Sequence, residues 1–290
     1  MEVICENVSL PSSEFAVAWS TIKIAPEVRT RLIAQSLLSL QLRQNYPFET
    51  MPVHGLIILS GPPGTGKTTL ARGLANEVGR TLGGKARFIQ LDPHALGSSS
   101  HGKSQKEVAK VFHQIIPEFA QSGPIIVLLD EVETLAADRQ RMSLEANPVD
   151  AHRATDAALS GIDLLCRKHR NTLLIATTNF PQAVDRALLS RADLIEDIGF
   201  PNAEIRQEII ADTLVQLAKT WPKVADLKAQ MVAFVRASAG MDGRRLRKAI
   251  ISSAASSVET ARDLNKLRPE HVLQSLKLAA DVERLQEAAE

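Results

Sequence analysis

Short, mostly apolar runs of about five residues recur along the first two thirds of the chain. Runs of this length are typical of strands that are buried on both faces. They are Gly55–Ser60, Arg87–Leu91, Pro124–Leu129, Thr172–Thr177 and Leu194–Ile198. Longer stretches with helical apolar spacing lie between them, and strands that alternate with helices form parallel sheets with both faces covered. The pattern therefore predicts an α/β fold, with a parallel sheet flanked by helices.

A change of pattern near residue 200 divides the chain. Before it, residues 1–20 are expected to be irregular and residues 97–106 to form a polar loop, and helices are predicted at Arg29–Leu42, Lys67–Gly79, Glu107–Ala120 and Asp150–His169. After it, every predicted element is a helix, at Ala203–Lys219, Leu227–Ala237, Gly243–Ala261 and Pro269–Ala289. We expect an N-terminal linker over residues 1–50, a large α/β domain over 51–200 and a small helical lid domain over 201–290.

Composition narrows the classes of partner. The net charge of the 290 residues is +1, so the basic footprint of a nucleic-acid-binding protein is missing and a nucleic-acid partner is not expected. The apolar runs are too short for a membrane helix, and the N-terminus lacks the regions of a signal peptide. Two cysteines, Cys5 and Cys166, cannot form a disulfide framework. We therefore expect a cytoplasmic protein without a membrane partner.

The strongest chemical signal is GPPGTGKT, which follows the first predicted strand of the sheet and opens a helix. Glycines let backbone N–H groups turn inward around phosphates, and the helix N-terminus adds favourable dipole charge. In such a loop Lys67 reaches the β- and γ-phosphates and Thr68 is a ligand of Mg²⁺. The predicted ATP-binding residues are Gly61, Pro62, Pro63, Gly64, Thr65, Gly66, Lys67, Thr68, Thr69 and Asp130. A chance glycine turn is the alternative, and the strand–turn–helix context argues against it.

A second signal is IIVLLDE, an apolar strand that delivers two acids at its carboxyl end. Open α/β sheets bind their ligands at this edge. Asp130 is predicted to hold Mg²⁺ with Thr68, and Glu131 to orient and polarise the attacking water. A pair of solvated acids at a strand end is the alternative.

Three further side chains are candidates for catalysis, and each has a plain structural alternative. Asn179, after the strand LLIATT, can hydrogen-bond the γ-phosphate or the lytic water, or it can cap a turn. Arg191, with Arg186, is a candidate arginine finger, which stabilises charge on the transferring phosphoryl group; surface pairing with Asp185 and Asp193 is the alternative. Arg244 can couple the helical domain to the γ-phosphate, or it can belong to a basic helix face.

These motifs stand in the order of an AAA+ ATPase, a P-loop NTPase with a helical lid. The segments EFAVAWSTI, LLDEVETL, TTNFPQAVDRALLSRADL and GMDGRRLRKAI make the chain resemble, more narrowly, the HORMA-domain-remodelling members known as the pachytene-checkpoint and thyroid-receptor-interactor family. The resemblance implies Walker A at Lys67 and Thr68 and Walker B at Asp130 and Glu131. It also implies sensor 1 at Asn179, a finger at Arg191 that acts on a neighbouring subunit, and sensor 2 at Arg244.

The resemblance implies a homo-hexameric ring that uses ATP and Mg²⁺ to pull open a HORMA-domain protein. Compact bacterial relatives resemble parts of anti-phage systems in which the HORMA protein pairs with a nucleotidyltransferase. We expect this chain to be similar to them, without the adaptor-binding domain of eukaryotic members, because residues 1–50 resemble the linker. One departure concerns the first pore loop, where Ser100 and His101 stand at the positions of the usual aromatic pair. These two residues are the candidate substrate grip; an exposed loop without a role is the alternative.

Other functions remain open on the sequence. A nucleic-acid-directed ATPase of the clamp-loader or initiator type shares the Ser-Arg pair at Ser190 and Arg191. A protease-associated unfoldase would need a separate protease, because the chain has no His-Glu-x-x-His motif. A nucleotide switch that does not turn over needs neither Glu131 nor Arg191.

Overall fold

The structure is a computed structural model, and it describes residues 3–92, 103–136 and 148–287. A six-stranded sheet forms the centre of the first part of the chain, with spatial order β1-β3-β4-β5-β2-β6. The strands are β1 (Ile4–Ser9), β2 (Leu56–Ser60), β3 (Arg87–Leu91), β4 (Ile125–Leu129), β5 (Thr172–Thr178) and β6 (Leu194–Asp197). The predicted α/β fold is confirmed, and the five predicted strands lie within about one residue of their expected bounds.

Helices connect the parallel strands, as their hydrophobic spacing predicts. They are α1 (Ser13–Thr21), α2 (Pro26–Asn45), α3 (Lys67–Thr81), α4 (Lys103–Lys110), α5 (Ile116–Ala120), α6 (Pro148–Lys168) and α7 (Arg186–Leu189). A π-helical turn, Val111–Ile115, joins α4 to α5. The helical segment begins at Lys103, earlier than the predicted Glu107. No helix in the described ranges is long and apolar enough to cross a membrane.

Five of the six strands run parallel, and β1 is the exception. It pairs antiparallel with β3, so the predicted parallel sheet has one antiparallel strand at its edge. The expectation that residues 1–20 are irregular was wrong, since they contain β1 and α1. The strand was missed because its side chains alternate between half-buried and exposed, which leaves no apolar run to read.

Helix α3 shows how the sequence fixes a local element. Its apolar residues recur at helical spacing, and Leu70, Leu74 and Val78 are fully buried. The helix ends where Gly83 and Gly84 take φ values of +78° and +72°, a conformation that glycine adopts at little cost. Burial of this face anchors the helix on the sheet, and with it the loop that precedes the helix.

A buried guanidinium group connects α2 to the C-terminal end of α6. Arg43 is 4% exposed, and its side chain donates to the backbone carbonyls of Leu165, His169 and Thr172. Burial lowers the pKa of Arg43. Carbonyls at a helix C-terminus lack partners within the helix and carry partial negative charge, so a cation there satisfies both needs. Arg43 thus fixes the end of α6 from which β5 begins.

The second compact unit is helical and comprises Gly199–Glu290 together with the short segments Lys23–Ala25 and Pro62–Gly66. Its helices are α8 (Ala203–Ala218), α9 (Met231–Ala237), α10 (Gly243–Ser252), α11 (Val258–Arg262) and α12 (Pro269–Glu287), with 3-10 turns at Pro222–Gln230, Ser253–Ser256 and Leu264–Lys266. They enclose their own apolar core around Ile210, Phe234 and Leu246. The single helix predicted over Gly243–Ala261 is therefore interrupted. The linker, large and lid domains remain predictions.

We predict that Gly73→Ala destabilises the protein by about 1–3 kcal/mol, because it overpacks the α1–α3 contact. A Cβ at Gly73 would stand 2.9 Å from the Cα atom of Trp19, so the backbone of α1 has to move. Chemical or thermal unfolding, followed by circular dichroism, measures the change. The control is Gly243→Ala, where the nearest atom to the new Cβ is Ile209 Cδ1 at 3.5 Å. That variant should stay within about 1 kcal/mol of wild type, and equal losses in both variants would contradict the packing argument.

Candidate nucleotide-binding site

Three neighbouring strands bring the predicted motifs to one edge of the sheet. In the order β4-β5-β2 all three run parallel, so their carboxyl ends lie side by side. The glycine-rich loop Gly61–Thr68, which is the P-loop, follows β2. Asp130 and Glu131 follow β4, and Asn179 follows β5. This arrangement explains why residues more than a hundred positions apart can serve one ligand.

The P-loop backbone depends on glycine at the points where it turns. Gly61 and Gly66 have φ values of +139° and +91°, and a Cβ at Gly61 would overlap the carbonyl of Ile198. The ammonium group of Lys67, a residue that is 6% exposed, donates to the Gly61 carbonyl at 2.7 Å. The Lys67 side chain is therefore held against the start of the loop, near the N-terminus of α3, where anions bind favourably.

The carboxylate of Asp130 accepts hydrogen bonds from hydroxyl groups on two elements, α3 and β5. The Thr68 hydroxyl lies 2.9 and 3.1 Å from its two oxygens, and the Thr177 hydroxyl donates to Oδ1. Mg²⁺ is usually held by one or two protein oxygens, waters and substrate phosphates rather than by a full protein cage. Thr68 and Asp130 supply such a pair. The described residues accordingly contain no group of three or more His, Cys, Asp or Glu that could hold a metal.

Glu131 occupies an unusual backbone conformation. Its φ is +53°, and it is the non-glycine residue with a positive φ in the described ranges. Its N–H donates to the Thr177 hydroxyl at 3.1 Å, and its Oε1 accepts from the Asn179 amide at 3.3 Å. Backbone strain of this kind costs on the order of 1–3 kcal/mol and persists only where the surroundings impose it. The strained turn holds the carboxylate beside Asn179 at the carboxyl edge.

Glu133 holds Asn179 from the other side. Its Oε1 accepts the Asn179 backbone N–H at 3.1 Å, while its Oε2 is buried and has no hydrogen-bond partner among the described residues. A charged acceptor fixes the backbone of Asn179 more strongly than a neutral one would. Glu133 thus supports the residue that contacts Glu131. Neither Glu133 nor Thr177 was a candidate from the sequence, although they lie within the segments LLDEVETL and LLIATT.

Arg244 and Gly64 lie in the second compact unit. The Arg244 backbone N–H donates to the Gly64 carbonyl at 3.3 Å. Asp242 caps helix α10 through the Arg245 N–H, and a Cβ at Gly64, whose φ is +82°, would overlap the Asp242 carboxylate. The Arg244 side chain is exposed.

Arg191 lies away from the motifs at the carboxyl edge. It forms an ion pair with Asp163 of α6, which replaces the expected alternative partners Asp185 and Asp193. Asp185 instead caps α7 through the Ala187 N–H, and Asp193 accepts the N–H groups of His54 and Gly55. Because His54 and Gly55 precede β2 and the P-loop follows it, Arg191 belongs to the opposite edge of the sheet.

Within the first unit, the structure therefore brings Gly61 and Lys67–Thr69 together with Asp130, Glu131 and Asn179. Residues Pro62–Gly66 of the loop belong to the second unit. Arg191 is separated from the residues at the carboxyl edge. Ser100 and His101 lie outside the described residues. The roles assigned to all these side chains remain predictions.

Sequence comparisons place the chain among known ATPases. The sequence model of the AAA family, "ATPase family associated with various cellular activities", matches residues 57–200. CD-NTase-associated protein 6 of Pseudomonas aeruginosa is 43% identical over 280 residues, which cover 96% of this chain and 92% of that protein. The human pachytene checkpoint protein 2 homolog is 30% identical over 298 residues, covering 94% of this chain and 68% of that one.

Solved structures share the fold over nearly the whole chain. Caenorhabditis elegans PCH-2 superposes with a TM-score of 0.75 at 26% identity, covering 97% of this chain and 75% of that chain. A chain from the structure of an Escherichia coli MS115-1 HORMA:CdnC:Trip13 complex gives a TM-score of 0.74 at 20% identity, covering 94% of both chains. At 20% identity the second match is a likeness of fold.

We predict that Glu133→Ala lowers kcat for ATP about tenfold, because misplacing a catalytic group by a fraction of an ångström is costly. The backbone N–H of Asn179 loses its acceptor, so the side-chain amide that contacts Glu131 is no longer held in position. ATP affinity should change little. Steady-state ATPase kinetics together with nucleotide-binding titration separate the two effects. Glu133→Gln is the matched control, because its carbonyl oxygen can still accept from Asn179. Equal activity of the Ala variant and wild type would show that Asn179 needs no such support.

Proposed function

This chain belongs to the AAA ATPases, in the group that contains CD-NTase-associated protein 6 and the pachytene checkpoint protein 2 homologues, and we propose that it is a ring-forming, ATP-driven remodeller of HORMA-domain proteins. The proposed partner is a HORMA-domain protein that is associated with a CD-NTase-type nucleotidyltransferase. In this reading the protein opens the closed HORMA complex and so regulates a bacterial anti-phage signalling system from the cytoplasm.

The proposed partner rests on one sequence comparison. The 43% identity over 96% of the chain is to a protein whose name states an association with CD-NTases. The fold-level neighbour from a HORMA:CdnC:Trip13 complex is consistent with the same pairing. The match covers 96% of the chain, so it extends well beyond the nucleotide motifs.

The geometry of the carboxyl edge supports ATP hydrolysis. The P-loop amides and Lys67 bind the phosphates, and Thr68 and Asp130 would hold Mg²⁺. The ion would neutralise charge on the phosphate oxygens when bound. Glu131 orients and polarises the attacking water, and Asn179 holds the Glu131 carboxylate in place through its amide. These four functions need no residue from the opposite edge of the sheet.

The position of Arg191 supports assembly into a ring. Strand β2 contains five residues and separates the His54–Gly55 edge from the P-loop. An extended strand rises about 3.3 Å per residue, so the two edges are on the order of 15 Å apart. Arg191, tied to Asp163, does not reach the P-loop of its own chain. As an arginine finger it would act on the nucleotide of a neighbouring subunit, and in a homo-hexamer every pocket would receive one finger.

We predict that Glu131→Gln binds ATP normally and lowers turnover by a factor on the order of a hundred or more, because an amide cannot accept the proton of the attacking water. The ATP-bound ring should persist and retain its protein partner. A pull-down with this variant and ATP from native extract, identified by mass spectrometry, should recover a HORMA-domain protein. Lys67→Ala is the control, since it should hold neither nucleotide nor partner.

Other outcomes of this pull-down are equally informative. Recovery of DNA-clamp or protease subunits would retain the ATPase and overturn the proposed partner. Turnover at the wild-type rate would remove Glu131 from the chemistry.

We predict that Arg191→Ala lowers kcat by a factor on the order of a thousand, as is typical of an arginine finger. Mixing it with Lys67→Ala subunits should restore part of the activity, because each Lys67→Ala subunit can lend its intact finger to the intact pocket of a neighbour. ATPase assays across mixing ratios measure the rescue. Inactive mixtures would contradict a finger that acts between subunits.

A further inference from the structure

Arg191 is held in a defined orientation by two partners. Its Nε and Nη2 atoms donate to Oδ1 and Oδ2 of Asp163, both at 2.8 Å, and its Nη1 atom donates to the Ala187 carbonyl at 2.7 Å. Two parallel bonds to one carboxylate fix the guanidinium plane, which a single bond would not do. The third bond fixes rotation within that plane.

The pair is charged and partly open to solvent. The side chains of Arg191 and Asp163 are 23% and 39% exposed. The hydrogen bond from Arg191 lowers the pKa of Asp163, and the same bond raises the pKa of Arg191, so both groups keep their charge at neutral pH. Next to them, His54 Nε2 lies 3.6 Å from Asp163 Oδ1, and burial lowers the pKa of His54. The neutral imidazole leaves Arg191 as the cationic partner of the carboxylate.

The guanidinium retains donors for another acceptor. Arginine has five N–H bonds, and the contacts to Asp163 and Ala187 use three of them among the described residues. One N–H remains on each terminal nitrogen. Two such bonds match the geometry of phosphate oxygens. The ion pair therefore orients Arg191 without exhausting its capacity to bind an anion.

We infer that Asp163 is the positioning residue of the finger, holding Arg191 pre-oriented for the phosphate of the adjacent subunit; this rests on the proposed function. A long arginine side chain has many rotamers, and ordering it only on arrival of the phosphate would weaken its effect. Asp163 reduces the net positive charge near the phosphate, and the gain in orientation outweighs that loss because both carboxylate oxygens are engaged. In this inference Asp163 acts through Arg191 and not on the nucleotide itself.

The test uses Asp163→Ala in the full-length protein. We expect kcat for ATP to fall between about tenfold and a hundredfold, with KM for ATP and the assembled state by sedimentation unchanged, since misplacement acts on the transition state. Asp163→Asn should lie between Ala and wild type, because its single carbonyl oxygen can accept one of the two bonds. Mixing Asp163→Ala with Lys67→Ala subunits should restore activity, as for Arg191→Ala, because the Asp163→Ala pocket is intact and receives a neighbour's finger.

The matched control is Asp212→Ala. Asp212 forms a comparable ion pair with Arg247 at 3.0 Å in the second unit, with side chains 22% and 32% exposed, so its loss reports the general effect of breaking such a pair. It should leave kcat unchanged.

The outcomes separate this inference from the proposed function. If Arg191→Ala is inactive and rescued while Asp163→Ala turns over like wild type, the positioning role is wrong and the ring mechanism stands. If Asp163→Ala is inactive and Lys67→Ala does not rescue it, Asp163 acts on its own subunit and the inference is likewise wrong. If Arg191→Ala itself keeps full turnover, the finger assignment fails and takes the positioning role with it.

Discussion

The Asp130 carboxylate is the point on which the arrangement of the candidate site depends. It accepts hydrogen bonds from hydroxyl groups in the first turn of α3 and at the end of β5, and the residue itself follows β4 directly. Each contact alone is a modest hydrogen bond, strengthened by the charge of the acceptor. Together they set the spacing between the phosphate-binding loop and the turn that carries Glu131. An ion bound by Thr68 and Asp130 would therefore enter a pair of ligands that already face one another.

Much of this site could be predicted because residues that directly follow the strands of a parallel sheet lie close together in the fold. Motifs that follow parallel strands meet at the carboxyl edge, so the sequence predicts that Lys67, Asp130 and Asn179 lie together. The apolar strands themselves were readable for the same reason, since burial on both faces leaves uninterrupted runs such as IIVLL. The helices over Lys67–Thr81 and Pro148–Lys168 followed from their periodicity.

The features that escaped prediction share a different physical origin. Strand β1 is an edge strand whose side chains alternate between half-buried and exposed, so it has no apolar run in its sequence. Arg43 is buried, although arginine is usually found at the surface and an apolar residue would be expected in such a position. Asp163 meets Arg191 because α6 and the segment before β6 converge at the amino edge, and nothing in the local sequence of either marks the pair. Supporting contacts of this kind depend on tertiary geometry, whereas phosphate loops and strand ends carry their chemistry in the sequence.

The left-handed backbone at Glu131 has a consequence for how the chain can change over evolutionary time. The strain belongs to the position, so most L-residues would carry it there, and glycine is the substitution that removes it. A glycine variant would fold more favourably and lose the carboxylate that directs water. Selection for stability and selection for turnover thus act on this one position in opposite directions, and the carboxylate is retained there at the expense of stability.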